Sequence, residues 1–331
     1  MRVFALLAPT RALAGIVLLA ALMSSRALAL DPLTLQLKWV TQAQFAGYYV
    51  AKDKGFYEAE GLDVTIEPGG PDIDPAQAMA GGDFDVVVDW MSDALVARDK
   101  GVPLVNIAQP FDKSGLLMIC PKDGPVQAVE DFPGKTLGVW FAGNEYPFFA
   151  WMHKIGVATD GGPAGATVLR QGYNVEPLIQ GQADCIHVTT YNELGQAIDA
   201  GFTLDKLVVF NYTEMGNDLL EDGLYVLEDR LSDPDFKDKM VRFVRTSMRG
   251  WDYALAHPDE AAEIVVNNGG EDLHHQRYMM GEVAKLTANS TWVLDIAAYE
   301  RTAKAVLDQG IIGDAPSGAW TAEIIERVGL K

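Results

Sequence analysis

Positive charge is scarce in this sequence. Its 331 residues carry 26 Lys and Arg against 46 Asp and Glu, a formal net charge of −20. Such a surplus excludes nucleic acid and anionic membrane surfaces as partners, because both are held by a local excess of cations. Cysteine is scarce too. Cys120 and Cys185 form no CxxC pair and no spaced Cys/His set, which excludes a structural zinc site. Both sit in apolar, strand-like runs where a buried free thiol is common, so two free cysteines are expected, with pairing left open. His274 and His275 are adjacent, so they cannot share one helix face as metal ligands. The glycine-rich stretch 161–166, GGPAGA, lacks the lysine of a phosphate-binding loop and reads as a turn.

Long apolar runs are absent after residue 23. The one before it, residues 12–23, follows a short basic region with Arg2 and Arg11 and precedes SSRALA, where Ala27 and Ala29 have small-x-small spacing. That is the layout of a secretory signal peptide, with cleavage expected after Ala29. The run is shorter than the roughly 20 residues a membrane span needs, and no cysteine follows it to carry a lipid. Its loss would remove Arg2, Arg11 and Arg26 and no acidic residue, leaving a still more acidic chain. About 300 residues remain, enough for two domains with separate cores.

After residue 30, short apolar runs alternate with helical patterns. LTLQLKW (33–39), LDVTIEP, FDVVVDW and VPLVNIAQ read as strands, separated by helices at 42–55, DPAQAMAGG and SDALVARDKG. Asp74 and Pro75 are placed to cap and start the second of these helices. The pattern recurs from KTLGVWF (135–141) to KLVVFNY. Alternation at this spacing predicts an α/β chain with parallel, doubly wound sheets. SGLLMICPKD (114–123) and DGLYVLEDR (222–230) resemble each other, and are expected to carry the chain into and out of the second α/β unit. After residue 230 the pattern is mainly helical. The expected organisation is a leader at 1–29, a discontinuous first lobe from 30–119 and 226–331, and an inserted second lobe at 120–225. A two-strand hinge and a cleft lie between the lobes, where ligands favour the carboxyl ends of strands.

Four stretches carry a resemblance to a known family: KWVTQAQFAGYYVAKDKGFYEAEGLDV (38–64), GNEYPFFAWM (143–152), TTYNEL (189–194) and DGLYVLED (222–229). The sequence resembles the periplasmic solute-binding proteins for thiamine-pyrimidine precursors, a family that also contains the eukaryotic thiamine pyrimidine synthases. The resemblance implies the type II periplasmic binding fold and a periplasmic, monomeric, cofactor-free protein. It implies capture of a small heterocycle, hydroxymethylpyrimidine or formylaminopyrimidine first and riboflavin second, and delivery to an ABC permease with its ATPase.

The candidate site residues sit at predicted strand ends. Trp39 ends the first strand, and Gln44 and Tyr48 are four apart on the next helix, sharing a face. Two aromatic rings and an amide suit a flat, polar heterocycle. On pattern alone, Trp39 and Tyr48 read equally well as core, whereas Phe45 and Tyr49 are expected inside. Asp89, Trp90, Met91 and Ser92 lie where the third strand meets a helix, placed either to hold ligand or, for Asp89 and Ser92, to cap that helix. Trp140, Gly143, Asn144, Glu145 and Tyr146 occupy the matching place in the second unit. Thr189, Thr190, Tyr191, Asn192 and Glu193 form a third such loop. A carboxylate at Glu145 or Glu193 suits the amine of an aminopyrimidine, and equally suits a helix N-terminus. His187, Trp251, Tyr253 and Trp292 are expected to be structural.

Two other functions compete with binding and delivery. A synthase is disfavoured because the family's enzymes carry a cysteine-rich run where this chain has LLEDGLYVLED. A sensor partner would use the same fold.

Overall fold

The computed structural model describes residues 29–329. The leader expectation falls on residues 1–29 and so lies almost wholly outside the described residues. Among the described residues no helix is long and apolar enough to cross a membrane.

The chain runs β1 (Asp31–Gln36), α1 (Ala46–Asp53), α2 (Phe56–Ala59), β2 (Leu62–Glu67), α3 (Pro75–Ala80), β3 (Val86–Asp89), α4 (Met91–Asp99) and β4 (Leu104–Ala108). It continues through β5 (Leu116–Pro121), β6 (Thr136–Val139), α5 (Tyr146–Ile155), β7 (Thr167–Arg170), α6 (Glu176–Ile179), β8 (Cys185–Thr189), α7 (Glu193–Asp199), β9 (Leu207–Asn211) and β10 (Gly223–Leu227). It closes with α8 (Pro234–Ala256), α9 (Pro258–Asn267), α10 (Leu273–Thr287), α11 (Ile296–Asp308) and α12 (Glu323–Val328). The expected local signals operate. Asp74 accepts from the Gln77 N–H at 3.0 Å, with Pro75 in the first helical position. Strands β3, β4 and β8 are buried throughout, as strands covered on both faces must be.

Two five-stranded sheets result, in the orders β2-β1-β3-β10-β4 and β7-β6-β8-β5-β9. They are mixed, which corrects the expectation of purely parallel sheets. Strand β10 runs antiparallel to β3 and β4, and β5 runs antiparallel to β8 and β9. Each sheet thus takes in one crossing strand that enters from the opposite end. The two look-alike segments are these strands, β5 in the second sheet and β10 in the first. The chain passes between sheets at residues 109–115 and 212–222. Glu221 fastens the two passages together: its buried carboxylate accepts from Ser114 Oγ at 2.7 Å and from the Gly115 N–H at 2.6 Å.

The late helices pack back on the first unit, α8 against α1, α11 against α4, and α12 against β4. The α1–α8 crossing is close because glycine stands on both sides. A Cβ on Gly47 would meet the Trp251 ring at 2.2 Å, and one on Gly250 would meet the Gly47 carbonyl oxygen at 2.1 Å.

Cys120 and Cys185 form a disulfide, which corrects the expectation of free thiols. The register of β5 on β8 sets Ile119 opposite Ile186, so the cysteines meet as the next cross-strand pair with Cα atoms 4.2 Å apart. The bridge closes a 65-residue separation around the second sheet. A double Cys120→Ala, Cys185→Ala variant is expected to lose about 2–4 kcal/mol of stability. Urea unfolding of variant and parent would check this, and equal midpoints would refute it.

Candidate functional site

The carboxyl ends of β1, β3, β6 and β8 point at a common gap between the sheets. One or a few residues past each of them stands an aromatic side chain: Trp39, Trp90, Trp140 and Tyr191. The four rings line a single cavity with Lys38, Gln42, Gln44, Asn144, Thr189, Asn192 and Glu193. Together with open solvent at its mouth it spans about 280 Å³, of which about 20 Å³ admits the centre of a water molecule. The walls are closed in on one another. Trp39 from the first unit and Trp140 from the second meet edge to face with centroids 6.0 Å apart, and only 6 % and 3 % of them remain exposed. Trp140 is backed by His187, whose ring stacks on it at 4.6 Å. Burial holds His187 neutral, with a pKa lowered to about 3.

Beneath the first-unit wall lies a buried ion cluster. Lys38 Nζ donates to Asp89 Oδ1 at 2.6 Å and to Asp93 Oδ2 at 2.9 Å, with all three side chains almost fully out of water. Burial pushes both carboxyls up, and the Lys38 charge pulls them back. Asp222, at the end of the second passage, accepts from Gln44 Nε2 at 2.7 Å and Trp90 Nε1 at 3.0 Å, fixing an amide and an indole that face the cavity. Tyr191 donates its hydroxyl proton to Glu221 Oε2 at 3.2 Å.

Glu193 is the carboxylate on the second-unit side. Its Oε2 accepts from the N–H and the hydroxyl of Thr189, both at 3.1 Å, and its Oε1 accepts from Asn192 Nδ2 at 2.9 Å. Burial nevertheless raises its pKa to about 7. Asn192 Oδ1 lies 2.8 Å from His275 Nε2 of α10, and the Tyr278 hydroxyl donates to the Thr190 carbonyl at 2.7 Å, so the loop after β8 is tied to the late helices.

Of the residues expected from sequence, the structure brings Trp39, Gln44, Trp90, Trp140, Asn144, Thr189, Tyr191, Asn192 and Glu193 to the cavity wall. Others it places elsewhere. Tyr48 packs in the core between Phe243 and Trp251, because α8 covers the face of α1 that carries it. Met91 is fully buried beside the Tyr225 hydroxyl, since the first turn of α4 points it into its own unit. Ser92 is buried, and Asp89 is taken up by Lys38 and by the Trp90 N–H. Glu145 accepts from the Gly143 N–H at 2.9 Å and shapes the turn before α5. Tyr146 is half-buried, with Lys100 Nζ lying 5.9 Å from its ring centroid. Gly143 itself presses against the Asp93 carboxylate from across the gap. Sequence reasoning missed Lys38, Gln42, Glu221 and Asp222. Lys38 and Asp222 do open two of the stretches that carry the family resemblance.

Two mixed sheets joined by two passages, with a cavity between them, define a protein of the periplasmic-binding-protein fold. Solved structures agree. A Bordetella bronchiseptica protein superimposes with a TM-score of 0.69 at 20% identity, covering 90% of this chain and 96% of its own. The ligand-binding component of an ABC-type import system from Staphylococcus aureus, solved with zinc bound, gives 0.68 at 11% identity over 90% and 99%. A Candida albicans protein described as having the generic periplasmic binding protein fold gives 0.62 at 14% over 90% and 94%. The chain belongs to the NMT1/THI5-like family, whose profile matches residues 42–261. Among curated relatives, the riboflavin-binding protein RibY of Chloroflexus aurantiacus is 27% identical over 76% of this chain and 72% of its own. The formylaminopyrimidine-binding protein of Halalkalibacterium halodurans is 25% identical over 73% and 72%. A 4-amino-5-hydroxymethyl-2-methylpyrimidine phosphate synthase of Candida albicans is 26% identical over 70% and 69%.

Proposed function

We propose that this chain captures a small, flat nitrogen heterocycle between its lobes outside the cytoplasmic membrane and hands it to an ABC permease. The observation that carries the reading is the cavity walled by Trp39, Trp90, Trp140 and Tyr191 with Glu193 at its edge, built from both units at once. Aromatic walls supply contact area to any flat ring, and the few polar groups between them fix its orientation. The passages at 109–115 and 212–222 serve as the hinge. The names of the binding-protein relatives and the fold of the import component support the same reading.

Binding is favoured over catalysis by the state of Lys38. A lysine acting as nucleophile must shed its proton. Here two buried carboxylates hold the ammonium, and its pKa is raised far above the usual lysine range by Asp89 and Asp93 despite burial.

Trp39→Ala is expected to weaken binding of 4-amino-5-hydroxymethyl-2-methylpyrimidine by about 1–3 kcal/mol, the stacking contribution of one ring, or roughly 5- to 150-fold in Kd. Calorimetric titration beside a melting curve checks it. Unchanged affinity with a large fall in melting temperature would make Trp39 a core residue and remove the aromatic wall from the reading.

A further inference from the structure

We propose that the cavity takes its ligand as a cation, a planar ring with an amidine edge, and that Glu193 is the counter-ion. This deepens the heterocycle-binding reading above and rests on it.

The hydrogen-bonding inventory of the wall points to a donor-rich ligand. Most donors facing the cavity are already committed. Gln44 Nε2 and Trp90 Nε1 go to Asp222, Gln42 Nε2 goes to Gln44 Oε1 at 2.6 Å, and Trp140 Nε1 goes to the Gly172 carbonyl at 3.0 Å. The Tyr191 hydroxyl goes to Glu221, and two of the three Lys38 protons go to Asp89 and Asp93. The amide orientations follow from this chain of bonds, because the carboxylate of Asp222 can only accept. Remaining toward the cavity are chiefly acceptors: Gln42 Oε1, Asn144 Oδ1 and the one open lone pair of Glu193, on Oε1. An anionic solute would find one ammonium, already shared between two carboxylates.

Charge points the same way. Lys38 faces both Asp89 and Asp93, a local surplus of one negative charge if both are ionised. Around Tyr191 stand Glu193, Glu221 and Asp222, and among the described residues none of the three forms an ion pair with a basic side chain. From α10, His275 reaches Glu193 only through Asn192, and burial lowers its pKa toward the neutral form; the other titratable group there, Tyr278, is uncharged. From β8 the neighbouring titratable side chain is His187, also neutral. Glu193 therefore sits without a counter-charge in a place that the closed lobes remove from water. A protonated ring nitrogen would supply that charge through one N–H bond to Glu193 Oε1, leaving the exocyclic amine beside it for an open amide oxygen such as Gln42 Oε1 or Asn144 Oδ1. If the ring arrives neutral, one proton is taken from solvent as the lobes close and is shared between ring nitrogen and carboxyl.

The test is calorimetric titration of the full protein with 4-amino-5-hydroxymethyl-2-methylpyrimidine, in buffers of different ionisation enthalpy, from about pH 6 to about pH 8.5. The expected result is uptake of nearly one proton per ligand at the alkaline end, with Kd weakening toward tenfold per pH unit there. Glu193→Gln should abolish the uptake and bind roughly 10- to 150-fold more weakly. The 4-oxo analogue, equal in size but lacking the amidine, should bind more than tenfold more weakly to the parent. Tight binding of the pyrimidine with no proton uptake and a flat Kd would overturn the proposal, as would equal affinity for the oxo analogue. Riboflavin binding in place of the pyrimidine would overturn it while leaving the heterocycle reading standing. Binding of neither would overturn both. Should Glu193→Gln fail to fold, proton uptake by the parent protein decides alone.

Discussion

Lys38→Met is expected to cost about 3–5 kcal/mol of folding stability, the penalty for breaking a buried ion pair from one side. Methionine keeps most of the apolar stem and removes the ammonium. Asp89 and Asp93 would then be two buried carboxylates without a cation, and Asp89 Oδ2 already has no other partner among the described residues. The pH dependence has a definite sign. Burial raises both carboxyl pKa values in the folded state, and Lys38 is what holds them down. Without it they rise further, so the native state binds more protons than the unfolded chain and stability falls as pH rises. The variant should therefore regain stability as pH drops from neutrality toward the carboxylate range, against the usual direction of acid denaturation. Urea unfolding near pH 5 and pH 8 checks this. A variant as stable as the parent at pH 8 would show that the cluster contributes nothing.

Gly143→Ala is expected to weaken ligand binding by roughly 100-fold or more while leaving the unliganded protein folded. Gly143 has φ +91°, a conformation that costs a side chain about 1–2 kcal/mol. The larger effect comes from across the gap. An added Cβ would lie 1.8 Å from Asp93 Oδ2, and Asp93 cannot swing away without giving up its bond to Lys38. The methyl group therefore obstructs the approach of the turn after β6 to α4, and apparent affinity falls with the fraction of molecules able to close. Titration of the variant with the same pyrimidine, beside its melting temperature, separates the two effects. Full affinity in Gly143→Ala would mean that closure does not need this contact.

The architecture was legible because it follows from patterns of short range. Alternating apolar runs and helix caps such as Asp74 and Pro75 placed nearly every element, and the look-alike segments around residues 116 and 223 marked the two crossing strands. Their direction was not legible, since a strand reads alike either way until its neighbours are known. Register was equally hidden, so the Cys120–Cys185 bridge could not be read from two cysteines in apolar runs. At the site, Trp39, Trp90 and Trp140 stood out because each lies at the carboxyl end of a predicted strand. Tyr48 shared a helix face with Gln44 and was misplaced, because only the packing of α8 decides which part of that face is covered. Lys38 gave no signal of burial. A lone lysine at a strand end is ordinarily solvated, and its partners Asp89 and Asp93 lie more than fifty residues away in the chain.

The most direct measurement is a crystal structure of the protein grown with 4-amino-5-hydroxymethyl-2-methylpyrimidine. The ring should lie between Trp39, Trp140 and Tyr191, with its ring nitrogen within hydrogen-bond distance of Glu193 and the Lys38–Asp89–Asp93 cluster intact beneath it. A ring bound elsewhere, or a closed cavity left without ligand at saturating concentration, would contradict it.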